Sequence, residues 1–252
     1  LNRAKIISIQ TSGAYDPTVK PLIDRWGFGT EKQITHPTKK EINKIKTYSG
    51  IDKVQFLPNN QVQKQHPKLT IDLSGMAKGY GVDLLALVLQ EKKITRYYIE
   101  IGGEIRVGKE KPNGDSWKIG INTPSKTASK KEMLLKLNIQ NKSLASSGSY
   151  RNFQNINDQV ITHIINPQTG YPVSSKVVAV TILASDCMTA DAIATALMIL
   201  PIQEGITILN ADPELEGVMI EKKEQGTLTL HHSKHFYDFV DLLSLGAVSL
   251  EE

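Results

Sequence analysis

The sequence lacks several things, and each absence narrows the reading. A single cysteine, Cys187, leaves no internal disulfide to form and no second thiolate at metal-ligand spacing. It reads as a small core residue rather than a reactive thiol. The chain opens Leu1-Asn2-Arg3-Ala4 with no charged stretch leading into an apolar core, so a signal peptide is not among these residues. No long apolar run is free of charge. The most apolar stretch, Val177 to Leu200, carries Asp186 and Asp191, each of which would cost about 2.5–3.5 kcal/mol at a bilayer centre, so it is not read as a membrane span. A large excess of one charge is also missing. Thirty Lys and Arg against 26 Asp and Glu give a formal net charge of +4, spread along the chain apart from pairs such as Lys39-Lys40 and Lys130-Lys131. That distribution gives no basic face, and nucleic acid is not expected as a partner.

What is present is an ordinary globular composition, 40% hydrophobic and 22% charged over 252 residues, enough to bury one large core or two small ones. After an N-terminal helix, residues 15–29 carry the Pro, Gly and aromatic residues of an ordered loop, and 39–49 read as a polar helix. Leu69 to Leu73 reads as a short apolar strand running through Ser74-Gly75 into an apolar-periodic helix over about 76–91. Residues 97–107 and 117–121 read as strands around Gly102-Gly103, with hairpin turn chemistry at Asn113-Gly114-Asp115. A second strand-to-helix unit follows. Val177 to Ala184 is a continuous β-branched strand, Ser185-Asp186 can cap, and Thr189 to Leu200 is an Ala-rich helix stopped by Pro201. Val218 to Ile220 and Thr227 to Leu230 read as a hairpin around Gln225-Gly226. Strands and helices follow in mixed order without regular βαβ alternation, which predicts an α+β fold with mixed sheets and packed helices.

Three constellations carry chemistry. In Asp72-Leu73-Ser74-Gly75-Met76-Ala77-Lys78-Gly79, a Gly-bearing turn opens a helix. The free N–H groups of its first turn, with Lys78 close by, suit a phosphate, while the bland alternative is glycines that allow close helix packing beside a solvated lysine. In Asp191-Ala192-Ile193-Ala194-Thr195, a carboxylate and a hydroxyl four apart share a helix face. They could offer two hard oxygens to magnesium, which takes few protein carboxylates, or could be a local hydrogen-bonded pair. In His163-Ile164-Ile165-Asn166-Pro167-Gln168-Thr169-Gly170, a histidine at the end of a strand precedes a turn that could project it as an acid or base, or could hold it as a structural group.

Taken together, these segments resemble the ApbE family of FAD:protein FMN transferases. The resemblance rests on Thr11-Ser12-Gly13-Ala14-Tyr15-Asp16-Pro17-Thr18 with Trp26-Gly27-Phe28-Gly29, on the D-L-x-x-x-A-K-G-Y segment from Asp72 to Tyr80, and on Gly102-Gly103-Glu104-Ile105. Ser147-Gly148-Ser149-Tyr150, the H-x-I-x-P-x-T-G run from His163 to Gly170 and the A-D-A-x-A-T-A helix around Asp191 complete it. It spans about residues 4–238, with Tyr15 where the family pattern has Phe. The resemblance implies an α+β, T-fold-related architecture with FAD in a cleft between two halves. The implied reaction is magnesium-dependent transfer of FMN from FAD to a Thr or Ser hydroxyl of an acceptor protein. It also implies metal ligation by the side chains of Asp191 and Thr195 and the backbone carbonyl at Gly75. FAD contacts would come from Gly13, Ala14, Tyr15, Asp16, Asp72, Lys78 and Ile165, with catalytic roles for His163 as base and for Lys78.

The same resemblance implies an acceptor such as a respiratory-chain flavoprotein subunit and a place outside the cytoplasmic membrane, with a lipid anchor beyond this chain. Residues 1–240 would be one flavin transferase domain and 241–252 an unassigned tail. Family members carry several dozen further residues before the first block, including an aromatic contact to the flavin that has no counterpart here. Ala194 stands where some members have a further Asp, which would weaken a second metal site. Two other activities use the same features: hydrolysis of FAD to FMN and AMP, and flavin binding without turnover. Storage requires no base, so His163 beside the other groups speaks against it.

Overall fold

A computed structural model describes residues 1–29, 35–124, 132–149, 153–156, 159–241 and 249–250. The chain runs through α1 (Asn2–Gln10), α2 (Lys20–Arg25), α3 (Lys39–Lys46), β1 (Val54–Phe56), β2 (Val62–Lys64) and α4 (Ser74–Glu91). Then come β3 (Tyr98–Ile101), β4 (Glu104–Val107), β5 (Trp117–Asn122), β6 (Met133–Ile139), β7 (Ser143–Gly148), β8 (Phe153–Ile156) and β9 (Gln159–Thr162). The last part holds β10 (Val177–Ala184), α5 (Cys187–Leu197), α6 (Ile202–Ala211), β11 (Glu216–Lys222), β12 (Leu228–His232) and β13 (Ser249–Leu250). Helices and largely antiparallel sheets are mixed, as an α+β fold requires. Two compact units form, one from 1–75 with 152–174 and the other from 76–151 with 175–252.

In the first unit Leu22, Trp26, Ile42, Ile45 and Ile165 make the core. A capping box starts α3: Thr38 Oγ1 accepts from the Glu41 N–H, and the Glu41 carboxylate accepts from the Thr38 N–H at 2.7 Å. Glu41 also takes a two-pronged ion pair from Arg25 at the end of α2. Trp26 Nε1 donates to the Gly170 carbonyl at 2.8 Å, which ties the 163–172 turn to this core.

The second unit is built on a seven-stranded sheet ordered β13-β12-β11-β10-β7-β4-β3, antiparallel except for the β12–β13 pair. The β5–β6 ribbon packs Ile119, Ile121, Leu135, Leu137 and Ile139 onto sheet residues Leu144, Leu183, Val218 and Ile220, covering one face. On β7 and β10 lies α5, nine of whose eleven residues are buried. That burial explains its lack of a polar face. With both faces covered, β10 is buried along nearly its whole length, so it shows a continuous apolar run rather than alternation.

The structure departs from the sequence reading in a few places. Residues 69–73 form no strand but an irregular lead-in to α4, whose Asp72 N–H donates to the Pro17 carbonyl at 2.7 Å. The hairpin turn lies at Gly102-Gly103, both with positive φ (63° and 105°) as a two-residue loop of this hand demands. Asn113-Gly114-Asp115 instead connects β4 to β5, which belong to different sheets. The helix expected over 189–200 is α5 at 187–197, and α6 after Pro201 was not anticipated.

Candidate functional site

The Asp72 carboxylate accepts the Ser74 N–H at 2.8 Å, capping the opening of α4. Gly75 and Lys78 sit in the first turns of that helix, followed by Gly79, which is buried. The Lys78 side chain is half exposed, and its Nζ pairs with Glu104 Oε1 at 2.5 Å.

At the second strand-to-helix turn, Asp186 is the N-cap of α5 and accepts the Thr189 N–H at 2.8 Å. Asp191, 4% exposed, points its carboxylate at α4, where Oδ2 accepts the Gly79 N–H at 3.1 Å. The close approach depends on glycine. A Cβ on Gly79 would stand 2.6 Å from the Cys187 carbonyl carbon and 2.8 Å from the Met188 Cα, both backbone. Asp83, one turn further along α4, locks the junction: its carboxylate accepts the Cys187 N–H at 3.0 Å, the Met188 N–H at 2.9 Å and Arg106 at 2.5 Å. Two N–H groups of the first turn of α5 are thereby satisfied by a carboxylate on the neighbouring helix.

Thr195 follows Asp191 by one turn. Its Oγ1 donates to the Asp191 carbonyl at 3.1 Å and lies 3.4 Å from Ser147 Oγ. Donation toward a carbonyl leaves hydroxyl lone pairs available to a cation. Ser147 ties the Ser-Gly segment of β7 to this helix, whereas Tyr150 lies outside the described residues.

Burial dominates the electrostatics of this junction. Burial pushes the Asp191 carboxyl above its ordinary range, against the Gly79 N–H and Lys78, which pull it down. Glu104 is likewise raised, first by burial and then by the Asp191 charge, with Lys78 opposing. Burial and the neighbouring carboxylates, Asp83 foremost, push the Cys187 thiol far up, so it is an inert core group. Glu104 Oε2 is buried with no hydrogen-bond partner among the described residues. The buried Asp191 carboxylate and the Thr195 hydroxyl, one turn apart on α5, are hard oxygens of the kind a divalent cation takes, while Glu104 is bound by Lys78.

The remaining sequence-predicted residues lie in the first unit. Gly13 takes φ +82° at the end of α1, and Ala14 and Tyr15 are buried. The Asp16 carboxylate is committed internally, accepting from the Thr18 N–H and hydroxyl and from the Ile51 N–H. Ile165 is 3% exposed in the apolar core, so a ligand contact from it would be made by its backbone. His163 follows the last residue of β9, as its spacing predicts, with its ring edge-on to Phe28 at 6.4 Å.

The sequence carries Glu104 and Ser147 only within segments of the resemblance and gives them, like Asp83, no role of their own. The available signal for Glu104 was a carboxylate directly after Gly102-Gly103, opening a short strand with buried apolar residues at Ile105 and Val107.

Fold and site together define an α+β protein in which the start of α5 meets α4 through buried carboxylates near a lysine, surroundings of the kind that suit a cation or a phosphorylated ligand. The chain belongs to the ApbE family, whose pattern matches residues 1–219. It is 38% identical over 217 residues to the FAD:protein FMN transferase of Vibrio cholerae, covering 86% of this chain and 64% of that one. With the Haemophilus influenzae protein of the same name it is 35% identical over 224 residues, covering 87% and 64%. It thus spans 64% of the length of these curated relatives. The solved flavin transferase ApbE from Vibrio cholerae superposes with a TM-score of 0.81 at 37% identity, covering 94% of this chain and 74% of that one. The ApbE protein of Thermotoga maritima does so with 0.81 at 28% identity, covering 94% and 75%.

Proposed function

We propose that this protein transfers FMN from FAD to a Thr or Ser hydroxyl of an acceptor protein, releases AMP, and uses magnesium to do so. The observation that carries the reading is the meeting of α4 and α5, which brings the Gly79 N–H to the carboxylate of Asp191 within the electrostatic reach of Lys78. The names of its relatives support the same reading.

In this mechanism the acceptor hydroxyl forms a bond to the FMN-side phosphorus and the bridging P–O bond to AMP breaks. His163 takes the hydroxyl proton. Lys78 meets the charge that accumulates on the phosphoryl oxygens, and the N–H groups opening α4 orient the pyrophosphate. Asp191, Thr195 and the Gly75 carbonyl would hold the magnesium, which when bound neutralises pyrophosphate charge. The family resemblance would add nucleotide contacts from the Gly13 to Asp16 loop, Asp72 and the Ile165 backbone.

The same reading puts the protein outside the cytoplasmic membrane, lipid-anchored, with an acceptor such as a respiratory flavoprotein subunit. No helix among the described residues is long and apolar enough to cross a membrane.

The test is incubation with FAD, magnesium and a candidate acceptor, with mass spectrometry of the acceptor and assay of AMP. An FMN adduct with matching AMP is expected. AMP without an adduct, at the same rate with and without acceptor, would replace transfer by hydrolysis. Absence of both products would sink the reading.

A further inference from the structure

We propose that Glu104 is a positioning residue for Lys78, its carboxylate holding the ammonium group where the pyrophosphate of the ligand meets it. The inference rests on the FMN-transfer reading above and adds to it a residue that does not itself touch the flavin nucleotide.

The two oxygens of Glu104 are treated differently by the fold. Oε1 accepts from Lys78 Nζ at 2.5 Å, while Oε2 is buried and has no partner among the described residues. A carboxylate whose task was to bind the fold together would be expected to use both oxygens, because each buried acceptor left unmade is costly. This one is 2% exposed and spends its single strong contact on a lysine whose side chain is 48% exposed. The pair is therefore sealed at the carboxylate end and open at the ammonium end, the arrangement needed if the ammonium also meets something arriving from solvent.

The rest of the neighbourhood fixes the carboxylate. Glu104 begins β4 directly after the Gly102-Gly103 turn and is paired in register with Ile101. A Cβ on Gly102 would lie 3.4 Å from Lys78 Cδ and 3.7 Å from Glu104 Oε2, so the turn passes against both side chains. Lysine is a flexible point charge with rotatable donors, and a fixed anion is what such a side chain needs to present one geometry to a phosphate.

The experiment combines Glu104→Gln, which keeps an acceptor and removes the charge, with Lys78→Ala and the double variant. FAD affinity is measured by quenching of flavin fluorescence with magnesium present, and native packing is checked by near-UV circular dichroism. Glu104→Gln should weaken FAD binding about fivefold or more when Lys78 is present but less than about twofold in the Lys78→Ala background, because contacting residues are not additive. In ligand-free protein, competitive acylation of Lys78 read by peptide mass spectrometry should speed up about threefold or more in Glu104→Gln, since an ammonium released from its anion is a freer nucleophile on deprotonation.

Equal weakening in both backgrounds, or an unchanged acylation rate, would overturn the proposal. If Glu104→Gln does not fold, Glu104→Leu enters the same cycle. If the wild-type protein does not bind FAD, the FMN-transfer reading fails on its own account. Inorganic pyrophosphate then serves as the probe. It should protect Lys78 from acylation in the wild type and not in Glu104→Gln, and equal protection in both would overturn the positioning role.

Discussion

The Gly79 N–H donates to Asp191 Oδ2 at 3.1 Å, joining residues 112 positions apart in the chain. The same glycine lies where its missing side chain would strike the backbone of Cys187 and Met188. One residue thus supplies both the donor and the clearance for α4 and α5 to meet.

Gly79→Ala should drive these two helices apart, because the obstructing atoms are backbone and cannot swing away. An overpacking cost of about 1–3 kcal/mol is expected, read as a lowered urea midpoint. Magnesium affinity should fall with it, since Asp191 loses its register against α4. A midpoint and a magnesium affinity both equal to wild type would show that the helices slide freely.

Asp191→Asn keeps the size of the side chain and removes its charge, so the protein should fold and need far more magnesium to reach a given rate of flavin transfer. Thr195→Val should act in the same direction and more weakly, because only a neutral oxygen is lost. Flavin transfer that proceeds unchanged in EDTA would eliminate the metal from the mechanism.

His163→Ala should leave FAD binding nearly intact while slowing transfer by about 10²- to 10⁴-fold, the usual worth of a positioned acid or base. Single-turnover transfer to an acceptor peptide measures it. Wild-type turnover would assign the proton to another group.

Glu41 tests the first unit. Its carboxyl is held down to about 2, first by the Thr38 N–H, then by the Thr38 hydroxyl and Arg25. A carboxyl depressed in the folded state adds stability that is present above its unfolded value near 4.5 and lost as pH falls toward about 2. The wild type should therefore exceed Glu41→Gln in urea midpoint at pH 7, with the gap closing between about pH 4.5 and pH 2. The gap should be modest, because the group is exposed and solvent screens it. A gap independent of pH would assign the stabilisation to packing.

Part of this was written locally in the chain. Asp186 before an Ala-rich run announces a capped helix, and Asp191 and Thr195 lie on one helix face because 3.6 residues make a turn. His163 falls just past a strand, where its spacing puts it. Such features were legible because caps and periodicity depend on neighbours within about four positions.

The tertiary structure decided which of these local pieces meet. Whether the Asp191 carboxylate met another segment or only its own helix depended on the Gly79 N–H coming to it from 112 positions away. Asp83 closes on the Cys187 N–H across 104 positions, and Glu104 reaches Lys78 across 26, separations that no period encodes. The reason is physical: a buried carboxylate is tolerated only where donors from other segments surround it, and those donors are brought together by core packing rather than by the residues beside it in sequence.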